Sequence, residues 1–250
     1  MKKIFLIITI LFFTSKLYAA GASATLIDKD WSFEGVKGTF NKTSIQRGYQ
    51  VYKEVCSSCH SMKRIYYRNL MDIGFSEAEA KTIASEYSVT DGPDDNGDMY
   101  ERKAILSDNF VAPFPNKQAA RAANGGAYPP DLSLIVKARP NGADYVYSLL
   151  NGYIDPPEDA QLGEGLYYNI YYPGKQIAMA QPLYEGQVEY MDGTDTSLTQ
   201  MSYDLVNFLQ WAAEPEMEER NKMGVKVLMF LIIFTIFFYI AKRRIWSDVK

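Results

Sequence analysis

Val51-Tyr-Lys-Glu-Val-Cys-Ser-Ser-Cys-His60 is the stretch from which the rest of the chain is read. Its core, Cys56-Ser57-Ser58-Cys59-His60, is a C-x-x-C-H run, the spacing of a covalent c-type haem attachment site. Two thiols one helical turn apart can each add to a vinyl group on one porphyrin edge, and the adjacent imidazole then reaches the iron from the same side. A structural zinc site would need two more Cys or His ligands, and these are the only two cysteines and the only histidine in the chain. A thioredoxin-like dithiol is the remaining alternative, but a helical pattern, not a strand, precedes Cys56.

The ends of the chain carry membrane signals. Lys2 and Lys3 precede an apolar run from Ile4 to Phe13, and small residues follow at 19–24. This predicts a signal peptide over residues 1–22, cleaved between 20 and 24. Gly224–Ala241 is apolar apart from Lys226, and Lys242-Arg243-Arg244 follow. The expected layout is an exported haem domain over 23–222, a transmembrane anchor over 223–241 and a cytoplasmic tail over 242–250. That places the protein in a bacterial inner membrane with its haem domain in the periplasm, and with lipid around the anchor. Both cysteines are committed to haem, so no disulfide is expected despite the export.

The 250-residue chain has a formal net charge of −4. Without residues 1–20 and without the five cations and Asp248 beyond Lys222, 18 cations face 29 carboxylates, a net of −11. A nucleic-acid partner is thereby disfavoured and a basic protein partner favoured. Helical periodicity and capping patterns predict helices after Thr43-Ser44-Ile45-Gln46, after Ser76-Glu77-Ala78-Glu79, over Lys117–Ala123 capped by Asn116, over Leu132–Ala138, over Ala143–Leu150, and after Ser197. Gln187–Met191 is the best strand candidate.

A single histidine excludes bis-histidine ligation, leaving methionine or an open sixth position. Position along the chain leaves Met71, Met99, Met179, Met191 and Met201 as candidates. Met179 is favoured because Pro173 and Pro182 pin its apolar segment, with a gap-filling core methionine as the alternative.

The runs Arg47–Met62, Arg121–Leu132, Gly165–Met179 and Trp211–Pro215 resemble the cytochrome c1 family across nearly the whole mature chain. The resemblance implies a mainly α fold, a class I cytochrome c-like haem domain with insertions, plus one C-terminal transmembrane helix. It implies one haem c on Cys56 and Cys59 with His60 and Met179 as axial ligands. Asn124, Ala127, Pro129 and Pro130 would line the pocket, Arg139 and Tyr145 would lie near the propionates, and Leu149 and Leu150 would pack on the ring. Tyr128 departs from the leucine common in the family.

The implied activity is that of the electron-transfer subunit of quinol:cytochrome c oxidoreductase. This subunit would pass single electrons from a Rieske iron–sulfur protein to a basic cytochrome c, beside cytochrome b, in a homodimeric complex. Another membrane-anchored c-type carrier and a haem-free thiol oxidoreductase are the alternatives. The acidic segment with Asp91, Asp94, Asp95, Asp98 and Glu101 is a candidate docking surface for the acceptor, or else a solvated loop.

Overall fold

The computed structural model describes residues 24–248, so the predicted leader lies outside the described residues. Helix α1 (Lys42–Glu54) starts where the Asn41 carboxamide accepts the Ser44 N–H at 3.2 Å. The cap is thus Asn41, and Thr43 lies inside the first turn. A second long helix (Leu198–Ala213, below α5) begins where Ser197 accepts the Gln200 N–H at 3.3 Å. The two helices pack through Ile45, Tyr49 and Tyr52 on one side and Met201, Leu205, Phe208 and Leu209 on the other, all buried. Each fully buried aliphatic or aromatic side chain here contributes about 1.5–3 kcal/mol.

The backbones approach closely at Gly48, where a Cβ would overlap the Asp204 carbonyl. Beside that approach the fully buried Asp204 carboxylate accepts the Ser44 hydroxyl at 2.6 Å, Arg47 Nε at 2.8 Å and Gln200 Nε2 at 3.0 Å. The bond and charge of Asp204 stabilise the charged Arg47 guanidinium and outweigh its partial desolvation. Gln200 therefore turns along its own helix to Asp204, and Ser197 caps the helix without a reciprocal bond from the Gln200 side chain.

Smaller elements wrap this pair. Trp31 stacks between Phe33 and Tyr203, with ring centroids at 5.3 and 5.1 Å, and its indole N–H donates to Asp144 at 2.7 Å. Helix α2 (Glu77–Ser85) has the predicted reciprocal box, Ser76 N–H to Glu79 at 2.7 Å and Glu79 N–H to Ser76 at 3.3 Å. Strands β1 (Ser88–Asp91) and β2 (Tyr100–Lys103) form an antiparallel hairpin with Ser88 opposite Lys103. Arg102 fastens it, pairing with Asp91 and, at 2.6 Å, with Asp108.

Helix α3 (Lys117–Ala123) carries the Asn116 cap, accepting the Ala119 N–H at 2.9 Å. Helix α4 (Gly142–Asn151) stops at Gly152. Strands β3 (Tyr167–Tyr168) and β4 (Gln176–Ile177) close a second small ladder. Two expectations fail. Leu132–Ala138 is a run of turns, because Pro140 stops a helix just beyond it and the Asp131 side chain takes the Ser133 N–H at 2.9 Å. Gln187–Met191 forms no strand; Val188 and Tyr190 are buried individually in the core between turns at Gly186 and Gly193.

Helix α5 ends at Glu214-Pro215, and α6 (Met217–Ile245) follows at once. Glu214 receives Lys137 at 2.7 Å and Arg220 at 2.8 Å, while Glu218 accepts the Phe40 N–H at 2.7 Å. The start of α6 is thereby tied to the domain. Its most apolar stretch has mean hydropathy 2.4 and none of it is buried. A helix of 29 residues is about 40 Å long, more than the roughly 30 Å of a bilayer core.

Candidate haem site

Helix α1 tightens into a 3-10 turn, Cys56–Ser58, as it reaches the two cysteines. Helix ends leave carbonyls without partners. Here the two serines between the cysteines satisfy them: Ser57 donates to the Lys53 carbonyl and Ser58 to that of Val55, both at 2.7 Å. The Cys56 carbonyl accepts the Cys59 N–H at 3.1 Å and the His60 N–H at 2.8 Å, so Cys56, Cys59 and His60 form one compact turn.

His60 Nδ1 lies 2.8 Å from the Pro130 carbonyl. A carbonyl only accepts, so Nδ1 carries the proton and Nε2 keeps the lone pair for a metal. Burial holds the imidazole below its ordinary pKa, against smaller opposing effects of the Pro130 bond and Asp131, and so favours the neutral, ligating form. From the other side Tyr52 donates to the His60 carbonyl at 3.2 Å.

The Pro130 carbonyl is held in place by Asp131. One carboxylate oxygen accepts the Ser61 hydroxyl at 2.8 Å and the Lys63 N–H at 2.9 Å; the other accepts the Ser133 N–H at 2.9 Å. The Leu132 N–H donates to the Ser61 carbonyl at 2.8 Å, closing the joint. Burial works to raise the Asp131 pKa, but the donors at Lys63, Ser133 and Ser61 prevail and hold it below the usual carboxylate value.

Met179 sits past β4, with its carbonyl accepting the Tyr153 hydroxyl at 3.0 Å. Its segment is docked on the end of α4 by the fully buried Asn169, which donates to the Leu149 carbonyl at 2.8 Å and accepts the Tyr171 N–H at 3.1 Å. Met201 is fully buried in the core, Met71 and Met99 are exposed, and Met191 is 101% exposed. Met179 alone of the five is half-buried.

The remaining predicted residues fall into groups. Asn124 accepts the Ala127 N–H at 3.0 Å, fixing the turn that leads to Pro129 and Pro130. Pro129 shares a cleft with Cys59. Burial raises the Tyr145 pKa, and the charge of Arg139 opposes it. Leu149 and Leu150 close the same helix.

Asp91, Asp94, Asp95, Asp98 and Glu101 lie together on the β1–β2 hairpin, an element separate from the Cys–His turn. Three of them have local work: Asp91 pairs with Arg102, Glu101 accepts the Thr90 hydroxyl, and Asp94 accepts the Asn96 and Asp98 N–H groups at 2.8 and 3.0 Å. Asp95 and Asp98 stand exposed. Sequence reasoning missed Asp131, Tyr52, Tyr153 and Asn169. Only Asp131 left a local sign, an acceptor two residues before Ser133 that suits an Asx turn.

The donor set suits a haem. Among the described residues no group of three or more His, Cys, Asp and Glu could hold a bare metal ion, whereas a macrocycle brings four nitrogens of its own. Cys56 and Cys59 are unpaired, and burial, with a smaller contribution from Cys59, pushes the Cys56 thiol up to about 12.

Residues 31–249 match the Cytochrome C1 family profile. The chain is similar to "Cytochrome c1 2, heme protein, mitochondrial" of Arabidopsis thaliana, 50% identical over 220 residues covering 88% of this chain and 72% of that protein. It is also similar to "Cytochrome c1" of Rhodospirillum rubrum, 46% identical over 242 residues covering 90% and 89%. A third relative is the "Cytochrome b-c1 complex catalytic subunit, mitochondrial" of Candida albicans, 48% identical over 222 residues covering 88% and 77%.

Proposed function

The chain belongs to the cytochrome c1 family, and we propose from that membership that it is the electron-carrying haem subunit of a cytochrome bc1 complex. One haem c would be held by thioether bonds to Cys56 and Cys59, with His60 and Met179 as the residues that would ligate its iron. Bound there, the haem supplies a one-electron iron couple, which a thioether ligand biases towards the reduced state and a raised potential. The chain's own residues supply rigidity. Pro130 and Tyr52 fix the His60 turn, Asp131 braces Pro130, and Tyr153 holds the Met179 backbone. Asn124, Ala127, Pro129, Pro130, Leu149 and Leu150 exclude water from the ring. Arg139 and Tyr145 would neutralise and hydrogen-bond its propionates.

The donor is the two-iron cluster of a Rieske protein, cytochrome b is the membrane partner, and the acceptor is a basic cytochrome c. The exposed Asp95 and Asp98, backed by the net −11, steer that acceptor. Cleavage of the leader and the basic Lys242-Arg243-Arg244 leave the haem domain in the periplasm and the tail in the cytoplasm, in a homodimeric complex.

The observation that carries the reading is the His60 ring, its Nδ1 proton spent on Pro130 and its Nε2 open, at the end of the C-x-x-C turn. The test is an optical difference spectrum of the complex gently solubilised through a tag on this chain. Co-purifying b-type and c-type bands, both reduced by quinol, support the assignment. A c-type band that quinol never reduces, even in intact membranes, makes the chain a different carrier.

A further inference from the structure

Three residues, Glu214-Pro215-Glu216, separate the last helix of the domain, α5, from α6. A loose tether would be long and rich in glycine or serine. This one is short, and its proline fixes φ. The Met217 N–H donates to the Glu214 carbonyl at 3.0 Å, and the Met217 side chain is buried in the domain core. Helix α6 therefore begins inside the domain.

Two carboxylates then tie it to different parts of the chain. Glu214 receives Lys137 at 2.7 Å and Arg220 at 2.8 Å, and among the described residues it is the one carboxylate with two cations in ion-pair distance. Lys137 belongs to the run of turns that begins at Asp131, next to the Pro130 carbonyl that holds His60. Arg220 belongs to α6, so the same carboxylate joins the anchor to the segment that orients His60. Glu218 accepts the Phe40 N–H at 2.7 Å, and Asn221 donates to the Gly35 carbonyl at 3.3 Å. The loop they grip is itself closed: the Thr39 N–H donates to the Ser32 carbonyl at 2.8 Å, and Trp31 and Phe33 are buried. Glu218 stands six residues before Gly224, where the apolar run starts, or about 9 Å along the helix axis. These contacts thus lie just outside the bilayer, where the tilt of the domain is decided.

We propose that Glu214 and Glu218 are positioning residues that hold the haem domain at one tilt on its membrane anchor, so that the haem edge meets a membrane-bound electron donor at a fixed height. Electron tunnelling falls steeply with distance, so a domain swinging on a free linker would spend most of its time out of reach. The proposal rests on the haem reading for what is presented to the donor; the stiffness of the joint is a property of these side chains.

Electron–electron double resonance on the full-length haem-loaded chain in lipid nanodiscs tests it, with spin labels on S85C in the domain and L228C in the anchor, both exposed positions. The labelled wild type is expected to give one narrow distance distribution, and E214A/E218A one about twofold wider or more. E214Q/E218Q keeps an oxygen facing each donor and is expected to stay close to the wild-type width. The haem midpoint potential is expected to be the same in all three. A broad wild-type distribution, an unbroadened E214A/E218A, or an E214Q/E218Q as broad as the alanine variant would overturn the proposal. So would a potential that moves with the width, because the carboxylates would then act on the surroundings of the iron and not on the tilt. If E214A/E218A does not fold, a Gly-Gly pair inserted between Pro215 and Glu216 frees α6 without touching either carboxylate. Broadening there supports the proposal, and an unchanged width overturns it. Thioether-linked Cys56 and Cys59 take no label, so labels beyond the two introduced sites would count against the haem reading and not against the joint.

Discussion

Replacing Asp131 with asparagine removes one acceptor from the joint that braces His60. The carboxylate serves two backbone N–H groups, Lys63 at 2.9 Å and Ser133 at 2.9 Å, through different oxygens, and it also takes the Ser61 hydroxyl at 2.8 Å. An asparagine offers one oxygen. Whichever way its amide turns, its NH2 faces one of the two backbone N–H groups, donor against donor. The Ser61 hydroxyl can rotate and accept, but a backbone N–H cannot.

An orphaned, partly buried donor costs about 1–3 kcal/mol, and the loss of charge-assisted bonding adds roughly 1 kcal/mol. The expected local destabilisation is about 2–4 kcal/mol, or roughly 30- to 1000-fold faster exchange by opening of this joint. Hydrogen exchange followed by mass spectrometry on peptides covering residues 61–64 and 131–134 measures it in the intact complex. Exchange within threefold of wild type in both peptides would refute the reasoning. The wild-type joint is also pH-dependent. Because the folded pKa lies below the ordinary carboxylate value, the stabilisation is complete above about pH 4 and is lost as pH falls through the lower folded value.

Other consequences follow from the same geometry. Gly48→Ala would drive a Cβ into the Asp204 carbonyl and separate α1 from α5, at a cost of about 3 kcal/mol or more; loss of the assembled complex at a lower temperature reads it out. Arg47→Met would leave Asp204 charged, fully buried and short of its cation, costing about 3–5 kcal/mol in thermal or denaturant unfolding. Tyr153→Phe would loosen the Met179 segment by about 1 kcal/mol, so exogenous imidazole should displace the thioether about fivefold more readily in an optical titration. Neutralising Asp95 and Asp98 together should slow association with a basic cytochrome c and flatten its salt dependence in stopped-flow mixing; unchanged rate and slope would make the hairpin tip an ordinary solvated turn.

Local signals were legible where local chemistry decides the structure. The Ser76–Glu79 box, the Asn116 cap and the helix predicted over Ala143–Leu150 each depend on residues within a few turns of one another, and each formed where the pattern put it. The Cys56–His60 motif and the apolar helix after Glu214-Pro215 were equally plain. Longer-range structure was not. The β1–β2 hairpin is held by Arg102 reaching Asp91 and Asp108, and no alternation of apolar residues marks its exposed strands. Val188 and Tyr190 do alternate, yet they fill separate places in the core and gain no strand partner. The site followed the same division. Its cysteines and histidine are contiguous, but the groups that orient them come from far along the chain: Pro130 and Asp131 seventy positions after His60 and Ser61, and Tyr153 twenty-six before Met179.

The most direct test is rapid mixing of quinol with the oxidised complex, following the c-type absorbance band of wild type and of the Met179→Leu variant, each with its midpoint potential measured. The account predicts that quinol reduces the wild-type haem within turnover time, and that the variant keeps its covalent haem, loses potential and passes electrons more slowly to cytochrome c. An unchanged potential in the Met179→Leu variant, or a wild-type c-type haem that quinol leaves oxidised, would contradict it.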